Sequence, residues 1–164
     1  MKKKRLETVA RVLAVLLLFE IGVHAQSVLW QENFDNVTAP ALPIGWITDA
    51  GFETSTSVEG PDSGLNNLMH KGATFGHLDT PPLNLSQVTS ASLVYNARRT
   101  GSYNYSALRI LGSADGGITF PYIVVDAGEA LPGEDSEYMP CSGQLPDDLI
   151  GLADVRFRFE TQGG

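Results

Sequence analysis

A turn motif in the second half of the chain, Ser113-Ala-Asp-Gly-Gly-Ile-Thr-Phe120, most limits what the chain can fold into. It lies between two apolar runs, residues 107–111 and 120–125, which carry β-branched and aromatic side chains. Such side chains favour strands, and glycine adopts the positive φ of a tight turn at little steric cost. The stretch therefore predicts an antiparallel hairpin that sets the register of two central strands, around which the rest of the chain must pair.

Strand signals recur along the chain. Residues 155–160 alternate with a period of two, so that Val155, Phe157 and Phe159 face the core and the charged residues between them face solvent. No part of residues 26–164 shows helical periodicity over three turns. We therefore predict an all-β fold, a two-sheet antiparallel jelly-roll sandwich. The other predicted strands cover residues 28–34, 45–47, 52–58, 73–80, 91–97 and 136–141, and a short helical turn is predicted over 145–150.

The first 25 residues have the three parts of a secretory signal peptide. A basic start precedes the apolar run 12–19, and Val23-His-Ala25 offers small residues for cleavage before Gln26. A membrane anchor is the alternative, but Glu20 ends the apolar run short of the roughly 20 residues that span a bilayer. We therefore expect a secreted or cell-surface chain without a transmembrane segment, in which residues 26–164 form a single domain.

Charge and cysteine content narrow the function classes. The formal net charge is −8, and it becomes more negative once the basic signal segment is removed. An acidic exported domain lacks the cations that neutralise phosphates, so nucleic acid is not an expected partner. Excess carboxylate favours divalent cations, although a solvated acidic surface accounts for most of these charges. Cys141 is the only cysteine, which rules out an intramolecular disulfide.

A calcium site is predicted near the first strand, because calcium takes several oxygen ligands and the polar loops there supply them. Glu32 would stand in an otherwise apolar strand, where burying an unpaired carboxylate is costly. A loop hydrogen bond or an arginine would satisfy Glu32 equally well, and the spacing is not that of an EF-hand loop. The candidate calcium ligands are Glu32, Asp35, Asp62 and Asn67.

A sugar-binding surface is predicted on the loops at one end of the sandwich. Aromatic faces stack on sugars, and guanidinium groups bond hydroxyls or acidic sugars. The alternative is that Trp46 packs in the core and that the arginines pair with the acidic surface. The candidate ligand-binding residues are Trp46, Arg98, Arg99 and Tyr103.

Signals for catalysis are weaker than those for binding. His77 and Asp79 share a face of their predicted strand, but no serine stands in a nucleophile-elbow sequence. Glycoside hydrolysis needs two carboxylates at a set distance from each other. The candidates are Glu32, Glu53 and Asp79, and their positions in the sequence give no positive evidence for such a pair. The motif at residues 113–120 matches a single sialidase Asp-box, and turn geometry explains its residues.

Three short segments form an ordered set. Glu32-Asn-Phe-Asp-Asn36, followed by Pro43-Ile-Gly-Trp46, opens the set. Thr80-Pro-Pro-Leu-Asn-Leu-Ser86 comes next, and the turn motif at residues 113–120 completes it. Together they resemble the bacterial cleaved-adhesin and choice-of-anchor J modules, whose relatives include MAM-type, concanavalin-like jelly rolls. The resemblance covers most of the chain after the signal segment, and Glu32 matches the family's N-terminal acidic residue.

The resemblance implies a two-sheet jelly roll on a secreted or surface-attached bacterial protein. Family members often accompany proteases, nucleases or other hydrolases, some are adhesins, and some bind calcium or carbohydrate. Their modules end with one more strand bearing an Asp-Asp or similar pair. We therefore expect this sandwich to lack its final strand or to receive it from elsewhere, with the unfinished edge at residues 155–160.

These observations favour a non-catalytic adhesion or carbohydrate-binding module, stabilised by calcium, whose partner is a glycan or a host or matrix protein. One alternative is an accessory domain of a larger secreted hydrolase with its catalytic part elsewhere. The other is a glycosidase of the lectin-like jelly-roll kind.

Overall fold

The chain forms an antiparallel β-sandwich, as the sequence predicts. The computed structural model describes residues 27–56, 65–70, 75–99, 107–127, 131 and 137–162, so the predicted signal peptide lies outside the described residues. None of the helical structure in the described part of the chain has the length and apolar character of a membrane span. The strands are β1 (Ile47–Thr48), β2 (Phe52–Ser55), β3 (Asn67–His70), β4 (Gly76–Asp79), β5 (Ser92–Ala97), β6 (Ala107–Ser113), β7 (Tyr122–Val125), β8 (Met139–Gln144) and β9 (Arg156–Gln162), with a short 3₁₀ helix over Asp147–Leu149.

The largest sheet has five antiparallel strands in the order β1-β4-β9-β6-β7. The pairs β2–β3 and β5–β8 are also antiparallel. In β9, Phe159 is paired with Leu78 of β4 on one side and with Ile110 of β6 on the other. The expectation that residues 155–160 form an unfinished edge is therefore wrong, because this strand is hydrogen-bonded to a neighbour on both sides. Whether a further strand joins the sandwich stays a prediction.

The alternation at residues 155–160 builds the core, as predicted. Val155 and Phe157 are buried, and Phe159 packs half-buried against the same cluster. Ile110 and Leu149 lie in this cluster with no exposed surface. Burying each large apolar side chain of this kind contributes about 1.5–3 kcal/mol. The core therefore depends on side chains from β6, β9 and the 3₁₀ helix.

The turn motif joins β6 to β7, and its two glycines have positive φ, +72° at Gly116 and +90° at Gly117. The predicted hairpin is confirmed, but only β6 is interior, because β7 ends the strand order of this sheet. Of the two strands predicted to be central, β6 is central and β7 is an edge strand of this sheet. The strand predicted over residues 136–141 begins later, at Met139.

The strand predicted over residues 28–34 is absent. Val28 and Leu29 are exposed, and no ladder pairs this segment with the other described strands. Phe34 has a positive φ of 65°, which ends any extended conformation, and its amide donates to Glu32 Oε1 at 2.7 Å. Side-chain acceptors therefore take the place of strand partners here.

Two isoleucines on neighbouring strands give a matched test of the core. Ile110 has no exposed surface, whereas Ile123 on β7 is 55% exposed. Ile110→Ala should lower the free energy of unfolding by about 2–5 kcal/mol, because it leaves a cavity in the packed cluster. Ile123→Ala should change it by less than about 0.5 kcal/mol. Urea unfolding of both variants measures the difference, and equal losses would contradict this description of the core.

Candidate functional site

Three side chains at the ends of three different strands, or just beyond them, meet at one end of the sandwich. β5 and β8 pair so that Ala97 lies opposite Met139, which places Arg98, just after β5, beside Tyr138, just before β8. The Arg98 guanidinium carbon lies 5.5 Å from the centre of the Tyr138 ring, within the range of a cation–π contact. Asn67, the first residue of β3, donates from Nδ2 to the Tyr138 hydroxyl at 3.1 Å. Tyr138 therefore connects the other two side chains.

Two polar atoms of this cluster have no hydrogen-bond partner. Arg98 Nε is a buried donor, and Asn67 Oδ1 is a buried acceptor. The three residues as a whole are half-buried, whereas these two atoms lie beneath the surface. A buried donor or acceptor that stays unsatisfied costs about 1–3 kcal/mol. The cluster therefore contains two buried polar atoms without a protein partner.

Arg98 also differs from other arginines in its charge environment. Arginines elsewhere in the described residues pair with carboxylates, whereas Arg98 faces the Tyr138 ring and no carboxylate. An arginine left without an anion is available to a ligand oxygen. Arg99, the next residue, is half-buried. The paired arginines are Arg109 with Glu160, Arg156 with Asp154, and Arg158 with Asp79.

The cluster combines residues that the sequence suggested for different roles. Arg98 was predicted to bind a sugar and Asn67 to bind calcium, and Tyr138 joins them. Tyr138 was missed, because nothing local in the sequence reveals that β5 and β8 pair. Tyr103 and Asp62, also predicted as site residues, lie outside the described residues.

Trp46 lies away from this cluster, in an aromatic group. Its ring centre is 5.9 Å from that of Trp30, 5.2 Å from that of Phe34 and 6.4 Å from that of Phe159. Phe159 belongs to the core face of β9, so Trp46 covers one end of the core. Packing accounts for this tryptophan, and a sugar-stacking role for it stays a prediction.

The predicted calcium ligands Glu32 and Asp35 bind backbone amides. Glu32 accepts from Phe34, and Asp35 Oδ1 accepts from the Asn66 amide at 2.9 Å. The buried Asn66 side chain in turn donates to the carbonyls of Phe34 and Val37, at 2.8 and 2.7 Å. Within the described residues, no three His, Cys, Asp or Glu side chains lie close enough together to hold a metal. These bonds attach the N-terminal segment to the start of β3.

His77 and Asp79 do share the outer face of the five-stranded sheet, but they bind other partners. Asp79 is buried, and both its oxygens accept from Arg158, at 2.7 and 2.8 Å. This hydrogen bond with Asp79 is the main cause that raises the pKa of Arg158. The Phe120 ring covers the same guanidinium at 3.9 Å. Asp79 is therefore held in a structural ion pair rather than presented to a substrate.

Asp115 organises the turn motif as its sequence predicts. It accepts hydrogen bonds from the Thr119 hydroxyl at 2.6 Å, from Ser113 Oγ at 2.7 Å and from the Ile118 amide at 3.1 Å. The Thr119 bonds are the largest cause that lowers the pKa of Asp115 to about 2. These contacts explain the Asp-box residues by turn geometry.

His70 lies where the β2–β3 pair meets the five-stranded sheet. Its ring packs on Phe52, with 4.9 Å between ring centres, and its Nε2 is buried without a hydrogen-bond partner. A Cβ placed on Gly76 of β4 would lie 3.1 Å from this nitrogen, which shows how closely the ring abuts β4. Burial lowers the pKa of His70, and the nearby charge of Asp49 only partly offsets this effect.

Comparison with known proteins supports the fold. The K1 cleaved adhesin domain of Lys-gingipain from Porphyromonas gingivalis W83 has a similar structure, with a TM-score of 0.53 at 16% sequence identity. The match covers 80% of this chain and 93% of that domain. No family model and no curated protein matches the chain. The predicted resemblance is thus confirmed at the level of an adhesin-like fold, and membership of the family itself stays a prediction.

The environment of His70 predicts acid sensitivity. Its folded-state pKa lies below the ordinary value of 6.5, so the folded protein favours the neutral ring and stability should fall as the pH drops below 6.5. Thermal unfolding between about pH 7.5 and pH 5.5 should show this loss, and His70→Gln should flatten it. His77→Gln serves as the matched control, because it leaves the His70 ring in place. An NMR titration midpoint of His70 at or above 6.5 would refute the prediction.

Proposed function

We propose that this chain is a secreted, non-catalytic adhesion module that works as part of a larger exported protein. The observation that carries this proposal is the likeness to a cleaved adhesin domain over 80% of the chain. The likeness extends over 93% of that domain, so it concerns a whole module rather than a shared hairpin. The signal-like N-terminal sequence supports export to the medium or the cell surface. The alternative is an accessory domain of a secreted hydrolase. Such a domain would also bind a partner, and the catalytic domain would be another part of the same protein.

The cluster of Arg98, Tyr138 and Asn67 is the binding site that we assign to this module. It lies where β3, β5 and β8 begin or end, and binding residues are commonly presented on such rigid strand ends. The Arg98 guanidinium contacts the Tyr138 ring and no carboxylate among the described residues, so it suits a polar partner rather than an apolar one. Glycans and the polar surfaces of host or matrix proteins both meet this requirement.

Adhesion is tested most directly with the exported chain in solution. We expect saturable binding to at least one surface in a panel of immobilised glycans and extracellular matrix proteins. The same chain, denatured and applied at the same concentration, controls for nonspecific attachment. Absence of saturable binding across the whole panel would refute the adhesion proposal.

Calcium stabilisation is a separate proposal. It requires an oxygen from outside the described residues, such as that of Asp62, to join Glu32, Asp35 and Asn67. Each of the two described carboxylates would keep one oxygen on its amide and offer the other to the ion.

A calcium-stabilised fold should unfold at a higher temperature in millimolar calcium than in excess chelator, because an ion bound to the folded state stabilises it by mass action. Magnesium at the same concentration is the control for ionic strength. Equal thermal unfolding midpoints in calcium and in chelator would refute the calcium proposal.

A further inference from the structure

We infer that the chain binds a second copy of itself through an apolar surface near its N-terminus. This N-terminal apolar surface is formed by residues 28–30 and 44–47, two segments that meet where the ring centres of Trp30 and Trp46 lie 5.9 Å apart. Self-association goes beyond the proposed adhesion function and does not depend on it. A dimer would carry two copies of the module, and two linked modules hold a surface more tightly than one.

The N-terminal apolar surface presents large apolar side chains to solvent. Val28 is 77% exposed and Ile44 is fully exposed. Single exposed apolar side chains are ordinary, whereas a group of them marks a site of interaction. The group here comprises Val28, Leu29, Trp30, Ile44 and Ile47.

Internal contacts hold this surface in place from beneath. Thr54 Oγ1 of β2 donates to the Ala41 carbonyl at 2.7 Å, and the Trp46 amide donates to the Pro43 carbonyl at 3.2 Å. The Trp46 ring also lies against Phe34 and Phe159. A surface that is already ordered loses less conformational entropy when a partner binds. The exposed side chains are therefore presented on a prepared backbone.

Charge favours a second copy as the partner. The chain has a net charge of −8, so most contacts between two copies would bring carboxylates together. Residues 26–31 and 36–48 contain no Asp, Glu, Lys or Arg. Two copies can therefore meet here without opposing like charges, and both bury apolar area when they do. A lipid surface is a poorer partner, because these segments have no basic side chain to meet anionic headgroups.

The sheet edge beside this surface supports the same contact. β1, which carries Ile47, is the first strand in the order of the five-stranded sheet, and its ladder neighbour among the described strands is β4. An edge strand offers backbone N–H and C=O groups to another chain. A two-fold axis would place the same edge and the same side chains of both copies together.

The size of the surface sets the expected affinity. Five apolar side chains and a two-residue strand are few beside the roughly 20–30 residues per partner of a standard interface. We therefore expect a weak dimer, with a dissociation constant on the order of micromolar.

The test combines sedimentation equilibrium with tryptophan fluorescence of the exported chain. Trp30 and Trp46 are the two tryptophans of the chain, so its tryptophan emission comes from this surface alone. Between about 1 and 100 μM chain, the dimer fraction should rise and the emission should shift to shorter wavelength over the same concentrations. Raising the salt from about 0.1 to 0.5 M should strengthen the dimer, because salt screens the repulsion between two acidic copies.

Two variants and one control locate the contact. Val28→Glu and Ile44→Glu should each weaken the dimer by about tenfold or more, because each places two carboxylates in an apolar contact. Ile118→Glu is the matched control, since Ile118 is 83% exposed in the turn motif and adds the same charge elsewhere. It should leave the dimer unchanged. Circular dichroism of each variant confirms that the fold is intact.

The outcomes separate self-association from adhesion. A chain that stays monomeric over the whole concentration range would overturn the inference, and so would a dimer that neither Val28→Glu nor Ile44→Glu weakens. Equal weakening by Ile118→Glu would overturn the assigned surface. A shift in emission on anionic vesicles, without dimer formation, would replace the second copy with a lipid surface. A monomeric chain that still adheres to immobilised ligands would refute this inference and leave the adhesion proposal standing.

Discussion

The two faces of β9 hold the structure together by different physical means. On the inner face, Phe157 is buried in the core, next to the buried Val155 that precedes the strand. On the outer face, Arg158 donates two hydrogen bonds to the buried Asp79 of β4, beneath the ring of Phe120. A one-residue slip of register would exchange the two faces, placing charge in the core and leaving Asp79 without its cation. The alignment of β4 and β6, and with it the position of the whole five-stranded sheet, depends on this strand.

Local patterns predicted those parts of the fold that local chemistry determines. The alternation at residues 155–160 was sufficient to identify the inward side chains, and the Asp-Gly-Gly sequence was sufficient to identify the turn. Pairing is a property of distant segments, so the central place of β9 could not be predicted. The same limit explains the wrong strand at residues 28–34. Its hydrophobic pattern suits a strand, but the buried Asn66 engages its end through bonds to Phe34 and Val37 instead.

The candidate site shows the same division. Residue type alone marked Arg98 and Asn67 as polar groups suited to binding, but it assigned them to different ligands. Their shared partner, Tyr138, became visible only once β5 and β8 were paired, because the loop sequence around it gives no sign of that contact. Trp46, the most conspicuous aromatic residue, proved to cover the core beside Phe159. It was therefore easier to predict which residues are chemically suited to binding than to predict which of them lie close together.

The central claim is that polar ligands bind where β3, β5 and β8 meet, and NMR mapping of a glycan titration tests it most directly. The account predicts that the Nε–H signal of Arg98 and the side-chain amide of Asn67 move together with increasing ligand, since both side chains contact Tyr138. The indole N–H of Trp46, which lies in the aromatic group by Phe159, should stay in place. Movement of the Trp46 signal with no change at Arg98 and Asn67 would contradict the account.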